Sequence, residues 1–92
     1  MDDIVIYRKH GKTLAGARKS AERMAAELSE EFDLKCAWQG NVLTFERLGV
    51  SGKLELDDQE VGVIVNLSFL LTALKPTIER EVHRFFDENF AA

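Results

Sequence analysis

Cys36, His10 and His83 are the Cys and His side chains of this sequence, the residue types best suited to nucleophilic, acid–base or metal chemistry at neutral pH. A thiol beside an imidazole makes a nucleophilic site, and Cys with His can also bind zinc. The three residues lie far apart in the sequence, and no Walker, Rossmann, nucleophile-elbow or paired Cys/His metal spacing occurs in it. We therefore predict a protein that is not an enzyme and that has no metal or other cofactor.

The local pattern favours structural roles for Cys36 and His83. Cys36 shares the inward side of a predicted strand with Leu34 and Trp38, which favours a buried, unreactive thiol over a reactive one. His83 falls on the polar side of the last predicted helix, which favours a surface position over a catalytic or metal-binding one.

A basic segment from Arg8 to Arg23 carries six Lys and Arg side chains against Glu22 alone, a local charge of +5. Part of it lies in the early turns of a predicted helix, where the helix dipole disfavours positive charge. Two interpretations stay open: a solvated face with pairs such as Arg18 and Glu22, or a site for an anionic partner around the strand-to-helix loop. The candidate residues of that site are Arg8, Lys9, His10, Lys12, Arg18 and Lys19.

Two candidate contact surfaces are apolar. One is the open face of the predicted sheet, which is either a dimer or partner surface or a tolerated half-polar face; its residues are Val5, Tyr7, Val42, Thr44 and Ile64. The other surrounds Phe69, which is either buried under the sheet edge or exposed as an apolar contact. A domain of this size has little stability to spare, so we predict a two-fold homodimer.

Hydrophobic periodicity predicts the elements that position these residues. Residues 3–8 read as a strand, and Thr13 caps a helix whose small or apolar positions recur at helical spacing from Leu14 to Phe32. Four runs of alternating residues follow, the first two joined by Gly40-Asn41 as a type II′ hairpin turn with Gly at positive φ. A short apolar turn or helix at residues 69–74 precedes a last helix, which Pro76 either starts or kinks.

This order, β-α-β(4)-α, predicts an α+β fold. Consecutive short turns make the last four strands an antiparallel meander, and a helical crossover places the first strand antiparallel to the fifth. We expect a five-stranded antiparallel sheet of order 2-3-4-5-1 with both helices on one face. The residues expected inside are Ile4, Ile6, Leu28, Trp38, Leu43, Phe45, Leu54, Val63, Val65, Val82 and Phe85.

Length and charge exclude several classes of protein. The 92 residues predict a single domain, 1–92. The net charge of −4 opposes nucleic-acid binding, and the longest apolar stretch, residues 61–74, is too interrupted by polar residues for a transmembrane segment. A single Cys and an acidic start without a secretory signal favour a cytoplasmic location.

A family resemblance rests on residues 8–11, 17–19, 21–23, 38–40, 43–47, 49–52 and 70–81. In their order and spacing over nearly the whole chain, these segments resemble the polyhydroxyalkanoic acid system family of small bacterial proteins. The resemblance implies a role in polyhydroxyalkanoate synthesis or use, with the storage granule surface or another granule protein as partner, and it supplies no catalytic residues. The element order also resembles that of TATA-binding-protein and Bet v 1-like folds, an analogy of fold alone.

We therefore expect a non-catalytic binding module associated with polyhydroxyalkanoate granules or with the regulation of their synthesis or use. The alternative is a carrier of an acyl or other hydrophobic ligand, with a pocket between the sheet and the C-terminal helix. That pocket needs unfilled volume, whereas Trp38, Phe45, Phe85 and Phe86 all point into this space in the predicted fold. We expect them to fill it.

Overall fold

Five strands and two α-helices follow one another in the predicted order in the computed structural model, which describes residues 3–90. The strands are β1 (Ile4–Lys9), β2 (Lys35–Gln39), β3 (Val42–Arg47), β4 (Val50–Leu56) and β5 (Glu60–Leu67). The helices are α1 (Leu14–Phe32) and α2 (Lys75–Phe90), and a 3₁₀ segment (Phe69–Leu74) precedes α2. All strand pairs are antiparallel and the sheet order is β2-β3-β4-β5-β1, which confirms the predicted α+β fold and topology.

Helix α1 begins and ends at residues suited to those positions. The Thr13 Oγ1 accepts a hydrogen bond from the backbone N–H of Gly16 at 3.1 Å, so Thr13 is the predicted cap. The helix ends at Asp33, whose φ of 55° is the left-handed conformation that closes many helices. Ala17 and Ala21 are fully buried, and their small side chains let the helix backbone approach the sheet closely.

A single core lies between one face of the sheet and both helices, as predicted. All the residues expected inside are buried except Ile6 and Trp38, which are partly exposed. Trp38 lies on β2, one of the two edge strands of the sheet, and β2 has a neighbouring strand on one side only.

The last helix starts close to Pro76. Helix α2 begins at Lys75, so Pro76 occupies its first turn, where a residue without an N–H costs no helical hydrogen bond. Pro76 therefore starts a helix and does not kink one.

The turn between β3 and β4 contacts the 3₁₀ segment. Gly49 has a φ of 85°, and the backbone N–H of Ser68 donates to its carbonyl at 2.8 Å. This φ lies in the left-handed region that favours glycine, and a Cβ at Gly49 would also lie 2.8 Å from Cδ1 of Leu71. The contact brings two parts of the chain to the same end of the molecule.

Candidate binding site

The structure places the thiol and the two imidazoles in different environments. Cys36 is exposed, so the predicted buried thiol is wrong: the residue does face the same side as Phe45, its partner on β3, but β2 is an edge strand and leaves it uncovered. His83 is exposed, as predicted, and His10 is buried. Among residues 3–90, no group of three or more His, Cys, Asp or Glu side chains could hold a metal ion.

Cys36 is accessible without being activated. Partial desolvation by its neighbours raises the pKa of the thiol, which lowers the thiolate fraction at neutral pH. We expect iodoacetamide to label the native protein once, more slowly than it labels free cysteine, and to leave Cys36→Ser unlabelled. Labelling that requires denaturant would contradict the exposed position, and labelling faster than free cysteine would indicate an activated thiol.

His10 does not belong to a surface for an anionic partner, because it is only 2% exposed. Its Nδ1 accepts a hydrogen bond from the backbone N–H of Lys12 at 3.0 Å, and its Nε2 donates to the backbone carbonyl of Asp57 at 2.8 Å. One ring nitrogen accepts and the other donates, which is the pattern of a neutral imidazole. The ring thus joins the β1–α1 loop to the β4–β5 turn.

Replacing His10 with alanine is expected to lower the free energy of unfolding by about 1–3 kcal/mol, because it leaves a backbone donor and a backbone acceptor without partners. Urea denaturation followed by circular dichroism measures the loss. Lys9→Ala, at the exposed preceding residue, is the control and should change stability by less than about 0.5 kcal/mol. Equal losses in the two variants would refute the role given to His10.

Arg8 is occupied by contacts inside the chain. It reaches α2, where Nη1 donates to Oδ1 of Asp87 at 2.6 Å and Nη2 donates to Nδ1 of His83 at 2.7 Å. Its guanidinium also lies 5.3 Å from the centre of the Phe86 ring. Arg8 is therefore partly buried and bonded to α2, and these contacts hold its guanidinium within the fold.

Arg18 is held on β2 and its turn. Its guanidinium stacks 3.7 Å from the centre of the Trp38 ring and donates to the carbonyl of Gly40 at 2.6 Å. The predicted pair with Glu22 is confirmed at 3.2 Å. Arg18 therefore covers an aromatic side chain of an edge strand.

Of the remaining basic candidates, Lys9 and Lys19 are exposed and Lys12 is partly buried. The six residues thus do not form one exposed cluster. An anionic-partner site stays a prediction for these three lysines.

The candidate sheet face is divided by charge. On β4, Lys53 lies between Thr44 and Ile64, and Glu55 lies beside Val42. Lys53 and Glu55 form an ion pair of 3.6 Å, so polar side chains separate the apolar residues of β3 from those of β5 and β1. This face is therefore half-polar in the described part of the sheet, and its role as a dimer or partner surface stays a prediction.

The other apolar residues of this face cluster on β1 and β5. Val5 and Tyr7 are exposed, whereas Ile64 is buried beside Val5, its partner in the strand pairing. The Tyr7 ring lies across Gly62, where a Cβ would collide with it. The homodimer stays a prediction.

Four exposed apolar side chains gather at the end of the molecule where the β3–β4 turn meets the 3₁₀ segment. Leu48 is 96% exposed, Phe69 89%, Leu70 83% and Leu74 48%. We call these four residues the apolar tip. Of the two interpretations of Phe69, burial under the sheet edge is wrong and exposure is observed. Sequence reasoning missed Leu48, whose only signal is an apolar residue inside a turn.

A cavity of about 350 Å³ opens beside the apolar tip, between the sheet, the end of α1 and the start of α2. Its apolar lining comes from the sheet, from both helices and from the turns beside them: Leu28, Phe32, Leu34, Phe45, Leu48, Val50, Val63, Val65, Leu71, Leu74, Ile78 and Val82.

The expectation that aromatic side chains fill this space is wrong, because only Phe45 of the four expected residues lines the cavity. Trp38 lies under Arg18 on the edge strand. Phe85 and Phe86 lie in the second half of α2, where Phe85 packs edge-on against Phe32 at 6.5 Å. The first half of α2 presents shorter aliphatic side chains to the sheet.

Three polar residues, Arg47, Thr77 and Glu81, line the same cavity. Arg47 is exposed, and its Nη1 donates to the carbonyl of Phe32 at 2.8 Å. Glu81 pairs with Arg84 at 2.6 Å, and the same arginine also pairs with Glu31 and Glu88. Within residues 3–90, no carboxylate lies within ion-pair distance of Arg47.

The fold and these surfaces define a small α+β domain with an apolar tip and an apolar cavity. A family model described as "Putative polyhydroxyalkanoic acid system protein" matches residues 4–90. The chain belongs to this family, as the resemblance of its short segments predicted. No curated protein and no solved structure matches the chain significantly. The helices within residues 3–90 include none that is long and apolar enough to cross a membrane.

Proposed function

We propose that the protein is a non-catalytic binding module that attaches to the hydrophobic surface of polyhydroxyalkanoate granules through the apolar tip. The observation that carries this proposal is the exposure of Leu48, Phe69, Leu70 and Leu74 at one end of a small domain. Several large apolar side chains exposed at one end of a domain are typical of contact sites with proteins or apolar phases. The polymer is a polyester with alkyl side chains, so its surface has matching chemistry, and the family membership supports the granule context.

Binding to the polymer itself can be separated from binding to another granule protein. The purified protein is sedimented with protein-free polyhydroxyalkanoate particles, and in parallel with native granules that retain their own proteins. Direct attachment predicts co-sedimentation with both preparations. Co-sedimentation with native granules alone would assign the tip to a granule protein, which favours the regulatory form of the function.

The double variant Phe69→Ser, Leu70→Ser is expected to lower the affinity for the particles by at least about a hundredfold, because burial of each large apolar side chain contributes about 1.5–3 kcal/mol. Neither residue is buried, so the fold should be kept. The matched control is Val5→Ser, Tyr7→Ser on the open sheet face, which should bind as the parent does. Binding lost in the control and kept in the tip variant would transfer the contact to the sheet face.

A second candidate function is the carriage of a hydrophobic acyl ligand. It is favoured by the cavity of about 350 Å³ between the sheet and α2, a volume within the range of about 300–1,000 Å³ typical of small-molecule sites. Two tip residues, Leu48 and Leu74, also line the cavity, whereas Phe69 and Leu70 belong to the tip alone, so substitutions at Phe69 and Leu70 separate the two functions.

A further inference from the structure

We infer that the cavity binds an aliphatic carboxylate, with its chain among the aliphatic side chains of the cavity and its carboxylate at Arg47. This inference rests on the second candidate function, the carriage of an acyl ligand, and specifies the ligand.

The walls of the cavity favour an apolar chain. They are formed by Leu28 of α1, Val63 and Val65 of β5, and Ile78 and Val82 of α2, none of which offers a hydrogen bond from its side chain. A polar ligand placed among them would lose its hydration without compensation. An alkyl chain loses nothing polar there, and it gains contact with walls that are otherwise unpacked on one side.

The polar residues lining the cavity favour a carboxylate as the head group. Arg47 has five N–H donors, and the bond to the Phe32 carbonyl uses one of them. Glu81 forms an ion pair with Arg84, which it shares with Glu31 and Glu88, whereas Arg47 has no carboxylate within ion-pair distance among residues 3–90. A guanidinium binds a carboxylate by two parallel hydrogen bonds, which an alcohol cannot form. The positive charge of an ammonium group would be repelled by the positive charge of Arg47.

The position of Arg47 sets the orientation of the ligand. Arg47 lines the cavity and is also exposed to solvent. The tip residues Leu48 and Leu74 likewise line the cavity and are exposed. A carboxylate at Arg47 therefore remains near water while the alkyl chain is buried. This division matches the solubility of the two ends of a fatty acid.

Isothermal titration calorimetry with decanoate, decan-1-ol and decylamine, each below its aggregation concentration, tests the inference. We expect one equivalent of decanoate to bind, more tightly than decanol, with decylamine weakest. Arg47→Gln should weaken decanoate binding at least about tenfold and leave decanol binding unchanged, since a charged hydrogen bond is lost and the chain contacts remain. The matched control is Arg80→Gln, at an exposed arginine of α2 that does not line the cavity.

A second variant tests the place of the chain. Leu74 is about half exposed at the cavity, so Leu74→Trp should obstruct it without overpacking the core, and circular dichroism verifies the fold. We expect both decanoate and decanol to bind at least tenfold more weakly to this variant. Unchanged binding of both would show that the chain lies elsewhere and would overturn the inference.

The outcomes separate the inference from the function on which it rests. If decanol binds and Arg47→Gln leaves decanoate affinity unchanged, the acyl-carrier function stands and the carboxylate assignment is wrong. If neither ligand binds the parent, both are wrong. The variant Phe69→Ser, Leu70→Ser should keep decanoate binding, because neither residue lines the cavity; loss of binding there would place the ligand on the tip.

Discussion

Replacing Phe86 with alanine is expected to lower the free energy of unfolding by about 3–5 kcal/mol. The Phe86 side chain is completely buried, and its ring packs edge-on against Phe90 at 5.9 Å between centres. The substitution leaves a cavity where the ring was. Because the Arg8 guanidinium lies over the same ring, the substitution also removes the aromatic partner of a cation–π contact. A small domain has about 5–15 kcal/mol of stability in total, so the loss is a large share of it.

The same substitution at Phe69 provides the control. Phe69 is 89% exposed, so Phe69→Ala should change the free energy of unfolding by less than about 0.5 kcal/mol. Urea denaturation followed by circular dichroism measures both variants. Similar losses in the two would mean that the 3₁₀ segment is packed more firmly than its exposure indicates.

Gly52→Ala is expected to lower the free energy of unfolding by about 3 kcal/mol, at the upper end for overpacking. Gly52 pairs with Phe45 on β3 and Val65 on β5. A Cβ there would collide with the backbone carbonyl of Ile64 and lie 2.8 Å from two ring carbons of Phe45. The carbonyl belongs to a central strand and cannot move without disturbing the β4–β5 pairing.

Ser51→Ala, at the exposed preceding residue of the same strand, is the matched control for Gly52→Ala and should be nearly neutral. Thermal melting distinguishes the two variants. Because Phe45 also lines the cavity, Gly52→Ala should weaken decanoate binding wherever the variant remains folded. A melting temperature unchanged from the parent would contradict the crowding described at this position.

The sequence predicted the sheet well because its signals are local. Alternation of apolar and other residues marks β2, β3 and β4, β-branched residues mark β1 and β5, and Gly40 at positive φ closes the β2–β3 hairpin. Once consecutive strands are joined by short turns, their order is almost fixed, and the single helical crossover of α1 decides the place of β1. The Thr13 cap is a local signal of the same kind.

The roles of the basic residues could not be predicted, because their partners are distant in the sequence. Arg8 contacts Asp87 near the other end of the sequence. Arg18, near the start of α1, contacts Trp38 on β2, the element that follows α1. His10 looks like part of a charged loop until the loop folds inward onto the carbonyl of Asp57. Composition shows the charge of such residues, but only the packed structure shows whether that charge faces a partner or another part of the chain.

The cavity was missed for a related reason. Periodicity gives the side of a helix on which a residue lies, but it does not give the position along the sheet at which that residue packs. Phe85 and Phe86 are buried in the core, but they lie in the C-terminal half of α2. The volume beside Ile78, in the N-terminal half, therefore stays open. Cys36 shows the same limit: its face was predicted correctly, but its exposure depends on how far the helices extend over β2.

If the cavity binds the proposed ligand, the 3₁₀ segment has a consequence for the kinetics of its exchange. It forms one wall of the cavity through Leu71 and Leu74, yet it contains no buried residue, and 3₁₀ hydrogen bonds are weaker in geometry than those of an α-helix. Local opening of these six residues therefore costs far less than unfolding the sheet. The residence time of a bound chain and the lifetime of the fold then become independent properties. Substitutions in this segment can change how fast a ligand leaves while the melting temperature stays the same.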